Sequence, residues 1–179
     1  RFSLLITTST IIFGPLYSEP QYSWIKNTVS QLGAQSTKNN WIMIMGFVSL
    51  GISLFIKTIY SRKLKLIPFG LFGLFFALAG CFPHQAWIVG RPSHEILHRM
   101  HQIMANLSGI AITMGHLGYA LTTKQKRERI VSLILAATCV VFPLLMIHFS
   151  DFMGIIQKSM YGLKFLWIGT HSNEFNTDH

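Results

Sequence analysis

Six runs of apolar residues, most of them close to 20 long, recur along the chain, and they restrict its fold more than any other feature. A helix needs about 20 residues to cross roughly 30 Å of hydrocarbon at about 1.5 Å per residue. The runs cover residues 2–17, 41–60, 66–89, 92–121, 130–148 and 152–170, and none alternates as a barrel strand would. Half of the residues are hydrophobic and 12% are charged, too apolar for an ordinary soluble domain of this length. The expected fold is therefore all-α: a single six-helix transmembrane bundle over residues 1–170, followed by a tail, "HSNEFNTDH". A signal peptide is the competing account of the first run, but no small-residue cleavage pattern follows it, only "SEPQYS". The first run begins at Arg1 without an initiator Met, so the start is expected to be cut short.

Charge orients such a bundle. Arg62, Lys63 and Lys65 separate the second and third runs, and Lys124, Lys126, Arg127 and Arg129 separate the fourth and fifth. If all six runs span, both basic loops share one side, which the positive-inside rule makes cytoplasmic, with both termini. The expected location is a bacterial inner membrane. The net charge of +9 is then a matter of topology and of attraction to anionic lipid. Basic loops with few aromatic neighbours argue against nucleic acid as a partner. Cys81 and Cys139 fall inside predicted helices with no C-x-x-C spacing, as packing thiols do. The "NLS" sequon at Asn106 lies within a predicted helix and is discarded.

The remaining polar residues gather opposite the basic loops. Glu19, Asn27, Ser30 and Gln31 lie in the first long loop; His84, Arg91, His94, Glu95, His98, Arg99 and His101 follow around the third turn; His148, Ser150 and Asp151 precede the last run. Polar groups at membrane depth are costly and usually mark a function. "RPSHEILHRMHQ" places His94, His98 and His101 at i, i+4 and i+7, one face of a helix. The same stripe continues through Ala105, Ser108, Ile112, His116 and Tyr119, and the last run offers Gln157, Tyr161 and Lys164 at the same spacing.

Two imidazoles one turn apart suit a divalent metal such as zinc, and "HEILH" reads H-E-x-x-H. The expected ligands are His94, His98, His101 and His148, the last swung inward by a kink at Pro143. Glu95 and Asp151 are the candidate catalytic acids, and Glu19, Asn27, Ser30 and His84 complete the pocket. A metal with an open position would turn bound water into a nucleophile for hydrolysis near lipid headgroups. The competing account is that histidines at a wet helix end serve no ligand at all. A haem would need axial ligands on two helices, with His101 and His148 as the pair to test.

Several segments together resemble the membrane family called domain of unknown function 998: "YSWIKNTVSQLGA", the glycine-bearing "WIMIMGFVSLGISLF", "AGCFPH", "HQIMANLSGIA" and "GIIQKSMYGLKFLWI". The resemblance implies a six-helix prokaryotic membrane protein, and the matching positions are Asn27, Ser30, Leu32, Gly33, Phe82, Pro83 and His101. Gln31 stands where members often carry an acid. More distantly the arrangement is similar to the Frag1, DRAM and Sfk1 group, associated with lipid handling, and "NTVS" resembles a piece of the alkaline ceramidases, whose paired histidines in the last helix are lacking here. The resemblance implies a topology and no activity.

The leading functional expectation is lipid-directed, by binding or by metal-assisted hydrolysis, with membrane lipids as partners. The alternative is a non-catalytic accessory subunit that packs on other membrane proteins through Gly70, Gly73, Ala77 and Gly80. Transport ranks third, because no internal repeat supplies machinery for alternating access.

Overall fold

The computed structural model describes residues 2–175, and among them it is all-α, with no strand. The helices are α1 (Phe2–Phe13), α2 (Val29–Leu32), α3 (Trp41–Ser61), α4 (Ile67–Cys81), α5 (Glu95–Thr122), α6 (Lys126–His148) and α7 (Met153–Thr170). Short 3-10 turns follow α1, precede α4 and α7, and close the described chain. Each long helix packs mainly on the next, and α7 returns to touch α1. Three segments are long and apolar enough to cross a membrane: Trp41–Ser61, Leu64–Cys81 and Lys126–His148. Phe2–Tyr17 is apolar but shorter. This is the pattern of a membrane protein.

The α3–α4 seam is the tightest part of the molecule. Buried residues of α3 recur as Met43, Gly46, Phe47, Leu50, Gly51, Leu54 and Thr58, a single helical face. The opposing helix α4 is buried on more than one side, through Phe69, Gly70, Phe72, Gly73, Phe76, Ala77 and Gly80. A Cβ on Gly73 would stand 2.6 Å from the Gly51 carbonyl oxygen, and one on Gly51 would stand 2.7 Å from the Ala77 Cβ. Only hydrogen side chains allow the two backbones to approach so closely. The glycine face of α4 is thus covered by α3 of the same chain: Gly70 meets Thr58, and Gly80 meets Phe47. It is not the free partner surface that the sequence suggested.

Aromatic side chains of α4 fill the centre. Phe69 stacks on Trp167 at 5.0 Å and meets the His116 ring edge-on at 5.3 Å, while Phe76 packs on Phe47, Tyr161 and Phe165. Helix α7 therefore reaches the core with one face. Helix α6 reaches it least: its buried residues are Ser132, Leu135 and Ala136, and of these Leu135 joins the core.

Three boundaries differ from expectation: the end of α4, which lies at a proline, the start of α5, and the start of α6, at Lys126 rather than at residue 130. The third run was expected to continue to residue 89, but α4 ends at Cys81, two residues before Pro83, and residues 82–94 form a loop. The residue before proline is pushed to extended backbone, and Phe82 has φ −106° and ψ 90°. The fourth run was expected from residue 92, but α5 begins at Glu95 with His94 as its extended N-cap residue. Of the expected tail, residues 172–175 form a 3-10 turn, and residues 176–179 lie outside the described part.

Candidate functional site at the loop end of the bundle

The first long loop is organised by a very short helix. Thr28 caps α2 by accepting from the Gln31 N–H at 3.2 Å, while the Gln31 side chain accepts from the Thr28 N–H at 2.8 Å. This reciprocal capping box fixes four residues that propensity alone would not hold. The Val29 N–H donates to Gln157 Oε1 of α7 at 2.7 Å. Ser30, next in line, is held over α5.

There it meets His101. The imidazole is 4% exposed, and its Nδ1 lies 2.8 Å from both the Ala79 and the Phe82 carbonyl oxygens. Carbonyl oxygens only accept, so Nδ1 carries the proton. These carbonyls belong to the last turn of α4, which leaves its final acceptors without helical donors. Nε2 is then the acceptor, and the Ser30 hydroxyl donates to it at 3.0 Å. A hydroxyl, a ring base and two carbonyls that hold the base in one tautomer lie in sequence.

A second layer locks the loops around this pair. Gln35 donates to the Pro83 and His94 carbonyls, each at 3.1 Å, and accepts from the His94 N–H at 2.6 Å. Glu19, 6% exposed, accepts from Arg91 at 2.7 Å and from the Lys38 N–H at 2.8 Å. Arg91 also donates to the Ser36 carbonyl, and Trp87 donates to the Gln31 carbonyl at 2.9 Å. His84 donates from Nδ1 to the Gln85 carbonyl at 3.0 Å, and the Gln85 N–H donates to His98 Nδ1 at 3.2 Å. The His84 ring lies 4.5 Å from that of His98 and 5.4 Å from that of His101. Burial pushes the His84 pKa down to about 4, opposed by its bond to Gln85, so His84 is neutral at pH 7.

The expected metal cluster is not assembled. Among the described residues no three His, Cys, Asp or Glu side chains stand where they would hold a metal ion. The H-E-x-x-H spelling does not gather a metal-holding group: His94 is the N-cap of α5 with an extended backbone, and although its carbonyl accepts from the His98 N–H at 3.3 Å, the two imidazoles join no set of three ligands among the described residues. Both nitrogens of His101 are committed to Ser30 and to the α4 carbonyls, which removes it as a metal or axial haem ligand while those bonds stand. His148 is exposed at the end of α6, its ring 4.7 Å from that of Phe149, and the helix continues through Pro143 without carrying it to the others. The candidate acids are occupied elsewhere: Glu95 pairs with Arg99 on its own helix, and Asp151 with Lys26 at 3.0 Å. Both acids are solvent-exposed. Asn27, by contrast, lies within the crown, where its side chain donates to Gln31 at 3.1 Å and accepts from the Ser23 N–H at 2.8 Å.

Gln35 and Lys158 carry much of the arrangement and were not foreseen. Nothing in a neutral loop glutamine signals its role. Lys158 did have a signal, as a cation inside an apolar run. It is 6% exposed, and its Nζ donates to the Trp24 carbonyl at 2.9 Å and the Asn27 carbonyl at 2.6 Å, with the Tyr22 and Trp24 rings 5.3 and 5.0 Å away. It fastens the first loop to α7.

No curated protein and no solved structure matches the chain. The segments that build the crown, from the first loop through the α4–α5 turn to α7, all fall within residues 3–172, which match one family along their whole length. The chain belongs to the family described as Protein of unknown function (DUF998).

Proposed function

We propose that this protein is a six-span membrane protein that attacks an ester of a membrane lipid with Ser30, using His101 as general base. The reading takes all six long helices as spans, the basic loops and both termini as cytoplasmic, and the crown as lying at the outer headgroup level of a bacterial inner membrane. The observation that carries it is the single tautomer of His101, whose unprotonated Nε2 faces the Ser30 hydroxyl at 3.0 Å. That distance is within reach for proton transfer, and the base is oriented by a third group, as an activated nucleophile requires.

The chemistry is acyl transfer. The Ser30 oxygen bonds to the ester carbonyl carbon as its proton passes to His101 Nε2. The alcohol leaves with that proton, and an acyl-Ser30 ester remains. Water activated by the same nitrogen then releases the acid and restores Ser30. No metal is required by this route, and His84, neutral beside His101, adds no charge that would oppose an imidazolium there.

The test is labelling of the purified protein in lipid vesicles with a fluorophosphonate, together with release of fluorescent acid from an acyl-labelled phospholipid. Wild type is expected to label at Ser30 and to turn over. Ser30→Ala should abolish both, and His101→Gln should lower them by about 10²- to 10⁴-fold. Unaltered labelling in Ser30→Ala overturns the assignment. A second reading rests on the fact that the same bond joins α2, α4 and α5: the pair is then a clasp, and Ser30→Ala would lower thermal stability where wild type shows no labelling.

A further inference from the structure

On the far side of α7 from Lys158, helices α5, α6 and α7 enclose a cleft of about 1000 Å³. Helix α6 packs on α5 and on α7, and below the cleft α5 meets α7 where the His116 and Tyr119 rings pack on Trp167. The upper wall carries Asn106 and Gln157, the lower wall Thr113, Cys139, Tyr161 and Lys164. Its rim is apolar and exposed, through residues such as Ile110, Val140 and Ile147. In a bilayer such a cleft opens sideways to the hydrocarbon.

Lys164 is the anomaly. It is 2% exposed and sits twelfth of the 18 residues of α7, well away from either end. Among the described residues its Nζ has no carboxylate partner; its polar neighbours are the Cys139 thiol, which itself donates to the Leu135 carbonyl, and the neutral His116 ring, which lies within electrostatic reach and has no hydrogen-bond partner of its own. Six residues earlier on the same helix, Lys158 has two carbonyls and two aromatic rings. An ionisable group at this depth calls for a partner of opposite charge, because a thiol does little to offset desolvation of an ammonium.

We propose that the α5–α6–α7 cleft is the docking groove for a transmembrane helix of a different protein, one that carries an aspartate or glutamate at mid-membrane depth to pair with Lys164. A second copy of this chain does not fit. Its six acidic residues are Glu19, Glu95, Glu128, Asp151, Glu174 and Asp178, all in loops, turns, the tail or the first three residues of a helix. Of the five within the described residues, none stands mid-helix. The wall itself suits close approach of a helix: Ala105, Gly109 and Thr113 line it at spacings of four, and a Cβ on Gly109 would meet nothing within 4 Å. The face of α4 richest in such residues is already covered by α3, whereas Gly109 in this groove is open.

The test uses the full chain in lipid vesicles and three synthetic leucine–alanine transmembrane peptides with a central Glu, a central Gln or neither. Binding is followed by energy transfer between a dye on the peptide and one on a cysteine introduced at the exposed Lys124, outside the groove, after replacement of Cys81 and Cys139 by Ala. The Glu peptide should bind about tenfold more tightly than the Gln peptide. Lys164→Met should erase that preference, and Gly109→Leu should weaken both peptides. Equal binding of Glu and Gln peptides, or a preference that survives Lys164→Met, overturns the proposal. So does Lys164-dependent binding of spin-labelled stearate without a Glu-peptide preference, which would assign the cleft to a lipid carboxylate. Near-ultraviolet circular dichroism shows whether each variant is folded, and Lys164→Gln serves as a second removal of charge if Lys164→Met does not fold.

Discussion

The α3–α4 seam and the α5–α6–α7 side are both made of apolar helices with glycines, yet they are packed in opposite ways. At the seam, Gly51 and Gly73 bring backbone against backbone, and each helix fills the grooves of the other. On the α6 side, Gly109 faces open space, and α6 buries three of its 23 residues. The same residue type closes one interface and leaves another open. Glycine content alone therefore does not locate a partner surface; what matters is whether the opposing helix belongs to the same chain.

The sharpest way to break this comparison is to add the same side chain on both sides. Gly51→Val places a branched Cβ against the Gly73 carbonyl and Ala77, where backbone must move. The expected cost is about 3 kcal/mol or more. Gly109→Val, in open space, should change stability by less than about 1 kcal/mol. Unfolding in graded SDS, followed by circular dichroism, measures both, and a Gly51→Val protein as stable as Gly109→Val would contradict the seam as described.

The two lysines of α7 extend the comparison to charge. Lys158→Met leaves the Trp24 carbonyl without its side-chain donor and the Asn27 carbonyl with the Tyr22 hydroxyl alone, at a cost of roughly 1–3 kcal/mol, and should free the first loop for proteolysis. Lys164→Met removes a charge that no carboxylate among the described residues pairs, so stability should stay level or rise. The same SDS titration with limited proteolysis of the first loop distinguishes them. Equal losses would mean that Lys164 is as firmly paired within the chain as Lys158.

These contrasts show what the sequence carried. Hydropathy located the most apolar helices well, because length and composition leave a strong signal over 20 residues; Trp41 to Ser61 needed no tertiary knowledge. The helix that ended early did so just before Pro83, where hydropathy continues although the backbone cannot. In the crown, Ser30 and His101 were both named, yet as a pocket residue and a metal ligand. Their pairing depends on the Ala79 and Phe82 carbonyls, and main-chain atoms leave no trace in a pattern of side chains. Histidine spacing suggested a metal, yet His94 and His98 join no set of three ligands among the described residues. Gln35 was silent because a glutamine that bonds backbone reads like any loop glutamine.

The smallest effect expected is an acid sensitivity confined to the crown. Burial lowers the His84 pKa from 6.5 to about 4, so between those values the unfolded chain binds a proton there that the folded chain refuses. Stability therefore rises with pH across this window: the contribution is complete above about 6.5 and is lost as pH falls towards 4. The groups that face His84 are the Gln85 carbonyl, which favours the proton, and His98 and His101, which oppose it. His84→Gln should flatten the pH dependence of crown stability between 6.5 and 4, read as hydrogen exchange of the loop over residues 82–94. Exchange in the α3–α4 seam should not change, since no ionisable side chain lies on the buried face between Met43 and Leu54. If His84→Gln leaves the acid sensitivity of the loop intact, the proton is taken up at another site, and the neutral ring packed beside His101 is not what keeps the crown closed.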